Sequence, residues 1–189
     1  NHIRDFGNDG VAETIRTCKN AGIDIVGAGK NIEEAGIPYI KDIGGHKIGV
    51  LNFSESEFND AWENRAGSNP ADPINIWYGI NEVREKVDYL IVVIHGGREH
   101  YSFPTPGFQK LCHFVIDLGA DIIIGHHPHV KCGYEIYSGK PIIYSLGNFI
   151  FDEPGNAPDW YKGALAVIEL DKDNKALLKF FETELKMGS

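Results

Sequence analysis

Cysteine is scarce in this chain and its few copies lie far apart. The 189 residues include three, Cys18, Cys112 and Cys132. Their number is odd and no two form a CxxC pair, so neither a disulfide framework nor a cysteine-based structural zinc site is expected. We interpret them as buried free thiols.

Long hydrophobic runs are also missing. The longest uninterrupted apolar stretch runs only from Tyr89 to Ile94, whereas a membrane-spanning helix needs about 20 apolar residues. No signal-peptide pattern is visible either. We therefore predict no transmembrane segment in this chain.

Positive charge is the third deficit. The chain has 18 Lys and Arg against 27 Asp and Glu, a formal net charge of −9. Binding to a phosphate backbone requires clustered cations, so nucleic acid is not expected as the main partner. An anionic substrate remains compatible with this charge if a metal ion supplies positive charge.

The distribution of apolar residues is typical of a mixed α/β sandwich, with alternating helices and strands first and hairpins at the end. Asp9 is the predicted N-cap of the first helix. Residues 54–76 are irregular, which is typical of a functional or mobile connection. Helices are predicted at 10–21, 32–35, 78–86 and from Phe108 to a stop at Gly119, and strands at 23–26, 38–43, 47–53, 89–94, 122–124, 134–137, 141–144, 164–170 and 176–183.

Three histidines directly follow the apolar run 122–124, in the segment Gly125-His126-His127-Pro128-His129. In an extended segment, side chains two residues apart share a face, so His127 and His129 are predicted to face one site together. Two imidazoles suit a Mn, Fe or Zn site that is completed by carboxylates. His126 would face the other way, as a hydrogen-bonded core residue.

A second predicted strand also ends in a histidine, His95. Ligands of open α/β sheets bind outside the carboxyl ends of the strands. Histidines at the ends of two strands therefore favour a binding site, whereas a histidine at one strand end would not. Near the chain start, Asn1 could offer an amide oxygen to a metal and His2 could act on a substrate. Asp5 could join them or be an ordinary solvated carboxylate.

Two further candidates follow His95. Arg98 would suit a phosphate or carboxylate group, and Glu99 could line the same opening. A plain surface stretch is an equal alternative for both. Asn148 lies in a predicted turn that could bring it near the histidines, although a packing role is as plausible.

The ordered set of these motifs resembles the bacterial capsule-synthesis CapA family, which includes the PgsA-type proteins of poly-γ-glutamate synthesis and export. That family is similar to the calcineurin-like metallophosphoesterases. The motifs are Asn1-His2-x-x-Asp5, Gly27-Ala28-Gly29-x-Asn31-x-x-x-Ala35, His95-Gly96-Gly97-x-Glu99, Gly119-Ala120-Asp121-x-Ile123-x-Gly125-His126-His127-Pro128-His129 and Tyr144-Ser145-Leu146-Gly147-Asn148-Phe149-x-Phe151-Asp152.

The resemblance implies a four-layer α/β/β/α sandwich with a site for two divalent ions, Mn, Fe or Zn, at one sheet edge. It implies metal ligation by Asn1, His95, His127 and His129, and a catalytic role for His2 assisted by Asp5. Two departures stand out. Gly96 occupies a position where the family usually has Trp, and the family's acidic N-terminal motifs are absent.

We therefore expect residues 1–189 to be the C-terminal portion of a single domain, incomplete at its N-terminus and lacking carboxylates that would complete the metals. The favoured function is a metal-dependent hydrolase of the phosphoesterase type in capsule or poly-γ-glutamate biosynthesis. The alternative is a non-catalytic component of a polymer synthesis or export complex, and a nucleotidase or phosphodiesterase is less favoured. Implied partners are an anionic polymer or phosphoester and membrane proteins of capsule export, with an extracytoplasmic, membrane-associated location.

Overall fold

A computed structural model describes residues 1–151 and 159–185. Its helices are α1 (Gly7–Asn20), α2 (Ile32–Ala35), α3 (Pro73–Val83) and α4 (Pro106–Asp117), with 3-10 turns at His2–Arg4 and Arg84–Lys86. Its strands are β1 (Ala28–Gly29), β2 (Tyr39–Ile43), β3 (His46–Ser54), β4 (Gly67–Ser68), β5 (Tyr89–His95), β6 (Ile122–His126), β7 (Tyr134–Tyr137), β8 (Lys140–Ile143), β9 (Lys162–Leu170) and β10 (Ala176–Glu184). Asp152, the last residue of the fifth motif, lies outside these ranges.

A six-stranded mixed sheet organises the molecule, in the order β2-β3-β5-β6-β8-β7. Its four central strands, β3, β5, β6 and β8, are parallel, and the two edge strands are antiparallel to their neighbours. The central strands are nearly continuous apolar runs because both of their faces are covered. Their carboxyl ends consequently share one edge of the sheet.

Helices α3 and α4 cover one face of this sheet. Each begins with a capping side chain followed by Pro: Asp72 accepts hydrogen bonds from the amides of Ile74 and Asn75, and Thr105 accepts one from Phe108. Such caps satisfy amides that have no partner within the helix. The main core lies between these helices and strands β3, β5, β6 and β8, and its innermost side chains include Leu51, Ile76, Ile80, Leu90, Val92, Val115 and Ile123.

The β9–β10 hairpin packs against the opposite face. Its inward side chains, among them Ile168 and Leu178, meet a second core around Ile122 and Ile143. The described residues thus form three layers, with helices, a large sheet and a two-stranded sheet. Leu165, Leu177 and Phe181 are exposed on the hairpin.

Two expectations near the chain start are wrong. Residues 23–26 form no strand, and only Ala28–Gly29 pairs there, with β4. Asp9 is not the N-cap, because α1 already begins at Gly7 after Phe6 and has no side-chain cap. The short apolar run after α1 enters no sheet, and its Ile23 stays exposed. No helix in the described part of the chain is long and apolar enough to cross a membrane.

Candidate metal centre

Three neighbouring parallel strands end at the same level on the sheet edge. Ser54 at the end of β3 pairs with His95 of β5, and His95 pairs with His126 of β6. The residues just beyond these positions therefore converge. This register brings Glu55, His95 and His127 together from three separate parts of the chain.

The histidine segment is a turn and does not have the extended conformation predicted for it. His127 and His129 have φ values of 109° and 60°, in the left-handed region of the backbone that residues other than Gly rarely adopt. Their rings still come near each other, with centroids 6.3 Å apart. The two side chains approach because the backbone bends, and not through strand alternation.

The closest group of polar atoms at this edge joins Asn1, His95 and His127. His95 Nε2 lies 2.9 Å from Asn1 Oδ1 and 3.2 Å from His127 Nδ1. His127 is 7% exposed, and Asn1 and His95 are partly buried. An amide oxygen and two imidazole nitrogens at this separation are a donor set suited to a divalent ion.

Two glutamates that the sequence analysis did not select complete this centre. Glu55 Oε1 lies 2.9 Å from His127 Nε2, and Glu57 Oε2 accepts a 3.2 Å hydrogen bond from Asn1 Nδ2. One ligand atom from each of Glu55, Glu57 and His127 lies within 4.8 Å of the others. Carboxylates from the segment after β3 are thus present beside the histidines, and they are not those of the family's N-terminal motifs.

The charges of the centre follow from these contacts. Burial is the main cause that lowers the pKa of His95, which keeps its ring neutral. The hydrogen bond to Glu55 raises the pKa of His127 despite burial. Burial opposes ionisation of Glu55, but hydrogen bonds from His127 and the Gly97 amide outweigh it and lower its pKa.

His129 lies beside the trio in an aromatic environment. Its Nδ1 is 2.9 Å from Asn148 Oδ1, and its ring stacks on Trp160 at 4.8 Å. Asn148 is 6% exposed and donates from Nδ2 to the Trp160 carbonyl, so its amide oxygen faces His129. This contact favours a proton on Nδ1 of His129 and leaves Nε2 as the atom that can bind a metal.

The other predicted site residues lie further out. His2 Nδ1 is 2.9 Å from an Asp5 carboxylate oxygen, and both side chains are exposed. Glu99 reaches within 3.9 Å of His127 Nε2. The Arg98 guanidinium lies 5.4 Å from the centre of the Tyr101 ring, and none of its described contacts joins it to the histidines.

A cleft of about 440 Å³ adjoins Glu55 at the start of α4. Gly96 helps to keep it open, because a Cβ there would lie 3.2 Å from Glu55 Oε2 and 3.5 Å from the Phe108 ring.

Glu55 and Glu57 carried a sequence signal that was not used. Both follow a predicted strand, as His95 and His126 do, and they open the irregular segment 54–76. Nothing in the segment itself indicates that β3 lies beside β5. That adjacency is a property of the sheet order.

Comparison with known proteins places the chain among capsule proteins. The model of the family described as bacterial capsule synthesis protein PGA_cap matches residues 1–153. Capsule biosynthesis protein CapA of Bacillus anthracis is 31% identical over 100% of this chain and 47% of that protein. PGA biosynthesis protein CapA of Bacillus subtilis (strain 168) is 38% identical over 81% of this chain and 41% of that protein. The chain spans less than half the length of these relatives.

Solved structures give the fold. A putative 5'-nucleotidase from Staphylococcus aureus, in complex with alpha-ketoglutarate, aligns with a TM-score of 0.53 and 16% identity over 86% of this chain and 32% of that one. A hypothetical protein from Thermus thermophilus aligns with a TM-score of 0.50 and 14% identity over 78% of this chain and 61% of that one. At these identities the likeness concerns the fold alone, and it confirms the expected α/β sandwich.

Proposed function

The chain belongs to the family of bacterial capsule synthesis proteins, and on that basis we propose that it carries a metal-dependent hydrolase site used in capsule or poly-γ-glutamate biosynthesis. Residues 1–189 would be the C-terminal portion of a single domain of this family. The observation that carries the proposal is that His95 Nε2 lies within hydrogen-bonding distance of both Asn1 Oδ1 and His127 Nδ1.

These three atoms would hold one divalent ion, Mn, Fe or Zn. When bound, such an ion polarises a phosphoryl or carbonyl oxygen and lowers the pKa of a bound water. The low pKa of His95 supports this assignment, because a ligating imidazole must be neutral. The excess of negative charge on the chain makes an ion the natural counter-charge for an anionic substrate.

His2 would hold and move the proton of the leaving group. Asp5 accepts a hydrogen bond from His2 Nδ1, which orients the ring and leaves Nε2 for proton transfer. Arg98 and Glu99 would line the entrance, where Arg98 can swing from the Tyr101 ring to an anionic group. A phosphoester or an anionic glutamate polymer is the substrate class that these roles fit.

A second ion at His129 is the less supported part of the proposal. Within residues 1–151 and 159–185, the one group of three His, Cys, Asp or Glu side chains whose ligand atoms are close enough to hold an ion is Glu55, Glu57 and His127. This group includes neither His129 nor His95. This observation favours the second candidate function, a non-catalytic component of a polymer synthesis or export complex that retains the fold. A general nucleotidase is less favoured, since the structural likeness concerns the fold alone.

Metal binding and turnover separate these functions. We expect Mn²⁺ to bind the purified chain in calorimetry and to raise its melting temperature, because a ligand that binds only the folded state stabilises it. His127→Ala should lose both effects. His46→Ala is the matched control, because His46 contacts Asn174 at the hairpin and should leave both effects intact.

Turnover is then measured with Mn²⁺ on a chromogenic phosphodiester and on poly-γ-glutamate. Hydrolysis that disappears in His127→Ala and falls at least about tenfold in His2→Ala supports the hydrolase. Metal binding without hydrolysis of either substrate supports the non-catalytic component. Absence of metal binding contradicts the metal centre itself.

Location and partners follow from the family resemblance. The protein would act outside the cytoplasmic membrane, in association with membrane proteins of polymer synthesis or export. The support is the shared family with proteins named for capsule and PGA biosynthesis.

A further inference from the structure

The segment that follows β3 is held rigidly against the metal centre. The Glu55 amide donates to the His95 carbonyl at 2.9 Å, which continues the β3–β5 ladder by one residue. The side chain of Asn59, 0% exposed, accepts from the Glu57 amide and donates to the Glu55 carbonyl. The carboxylates of Glu55 and Glu57 therefore start from a well-fixed backbone.

Both oxygens of Glu55 already have partners. Oε1 lies 2.9 Å from His127 Nε2, and Oε2 accepts a 3.1 Å hydrogen bond from the Gly97 amide. An ionised carboxylate only accepts hydrogen bonds, so His127 must carry a proton on Nε2. In the neutral ring this leaves a lone pair on Nδ1, the atom that faces His95.

Glu57 acts on Asn1 in the same way. Its Oε2 is 3.2 Å from Asn1 Nδ2, and a carboxylate can only face the NH₂ side of the amide. The amide oxygen of Asn1 is thereby turned toward His95 Nε2. Glu55 thus leaves the Nδ1 lone pair of His127 facing His95, and Glu57 leaves the amide oxygen of Asn1 facing it.

We infer that Glu55 and Glu57 are positioning residues, which fix the tautomer of His127 and the amide orientation of Asn1 so that both present a lone pair to the ion. The inference rests on the proposed metal centre. Direct ligation through Glu55, Glu57 and His127 Nε2 is the competing arrangement, and it would break the existing contact of His127 with Glu55. Outer partners of metal-bound histidines typically change metal affinity 10–100-fold.

Conservative and truncating variants of Glu55 distinguish these arrangements. The single amide oxygen of Glu55→Gln can keep only one of the two hydrogen bonds that Glu55 accepts, so this variant should weaken Mn²⁺ binding less than Glu55→Ala, which should weaken it about 10–100-fold. Glu57 is exposed, and its truncation should cost only a few-fold. Glu63→Gln, an exposed carboxylate later in the same segment, is the control and should leave the affinity unchanged. If Glu55→Gln weakens binding as much as Glu55→Ala, Glu55 is a ligand and the inference is wrong.

The tautomer is read directly from side-chain ¹⁵N shifts of the metal-free chain at about pH 9, well above the ordinary imidazole pKa. His127 should be protonated on Nε2 in the unmodified chain and should become a mixture of tautomers in Glu55→Ala. A His127 tautomer that does not respond to Glu55→Ala overturns the inference. Failure of the proposed function is a separate result: the unmodified chain would not bind Mn²⁺, while the His127 tautomer would still change in Glu55→Ala. Circular dichroism of each variant confirms that it is folded.

Discussion

His127 and His129 both occupy left-handed backbone conformations, with φ of 109° and 60°. Each such residue costs on the order of 1–3 kcal/mol and persists only where the surroundings impose it. Here the surroundings are the contact of His127 with Glu55 and that of His129 with Asn148. Two of the five non-glycine residues with positive φ in the described part of the chain thus lie in the segment that carries the proposed metal ligands.

Gly125, inside β6 just before the histidine segment, lets the backbone at Tyr144 approach closely. A Cβ at this position would lie 2.2 Å from the Tyr144 carbonyl oxygen, a distance that backbone atoms cannot accommodate. We expect Gly125→Ala to lower the free energy of unfolding by about 1–3 kcal/mol or more, measured by urea denaturation. Gly107→Ala in α4 is the control, because a Cβ there meets nothing within 4 Å and alanine is a better helix former. Equal stability of the two variants would contradict the close approach at Gly125.

At the scale of elements, a polar network joins α4 to strands β7 and β8. Glu135 accepts hydrogen bonds from Gln109 and Tyr144 and contacts His113. The His113 ring stacks on Tyr137 with centroids 3.9 Å apart. The helix is therefore tied to the far edge of the sheet by a charged group as well as by apolar packing.

This network makes stability depend on pH. Burial opposes ionisation of Glu135, but the hydrogen bonds from His113, Tyr144 and Gln109 outweigh it and lower its pKa below 4.5. A carboxylate with a lowered folded-state pKa contributes stability above its unfolded pKa, and this contribution is lost as the pH falls through the folded-state value. We expect Glu135→Gln to cost about 1–2 kcal/mol at pH 7 and to make the loss of stability below pH 4.5 less steep.

Urea denaturation across this pH range checks the expectation. Glu169→Gln provides the comparison, because the Glu169–Lys179 pair on the hairpin is about half exposed, and surface pairs contribute little. If Glu135→Gln and Glu169→Gln have the same pH dependence, the network does not stabilise the α4 interface.

For the whole molecule, the decisive feature is the layering of two sheets. The β9–β10 hairpin buries Ile168 and Leu178 against the large sheet and exposes Leu165 and Leu177. Alternation of side chains along a strand produces this division. The hairpin completes the core on the face that α3 and α4 leave open.

Truncation on the two faces of β9 tests this layering. Ile168→Ala should reduce the free energy of unfolding by about 2 kcal/mol, since it removes packed methyl groups from a core. Leu165→Ala should change it by less than about 0.5 kcal/mol, as expected of an exposed site. A loss in Leu165→Ala as large as that in Ile168→Ala would mean that the hairpin does not pack on the sheet in this orientation.

Local sequence patterns were enough to predict the strands of the large sheet, the β9–β10 hairpin and the histidines that follow β5 and β6. Those elements are long apolar runs or regular alternations, and patterns of that kind are set by backbone geometry and burial. The ends of buried parallel strands are also readable, which is why His95 and His127 were found. Residues 23–26 were misassigned because a short apolar run does not reveal whether it enters a sheet.

Which side chains meet is, by contrast, a property of the folded chain. The adjacency of β3 and β5 brought Glu55 to His127, and no spacing in the sequence encodes a strand order. The left-handed turn at His127 and His129 is imposed by contacts across the sheet edge. The choice of Nδ1 on His127, and of the oxygen on Asn1, rests on two carboxylates that are distant along the chain, because hydrogen-bond partners are selected by proximity in space and not in sequence.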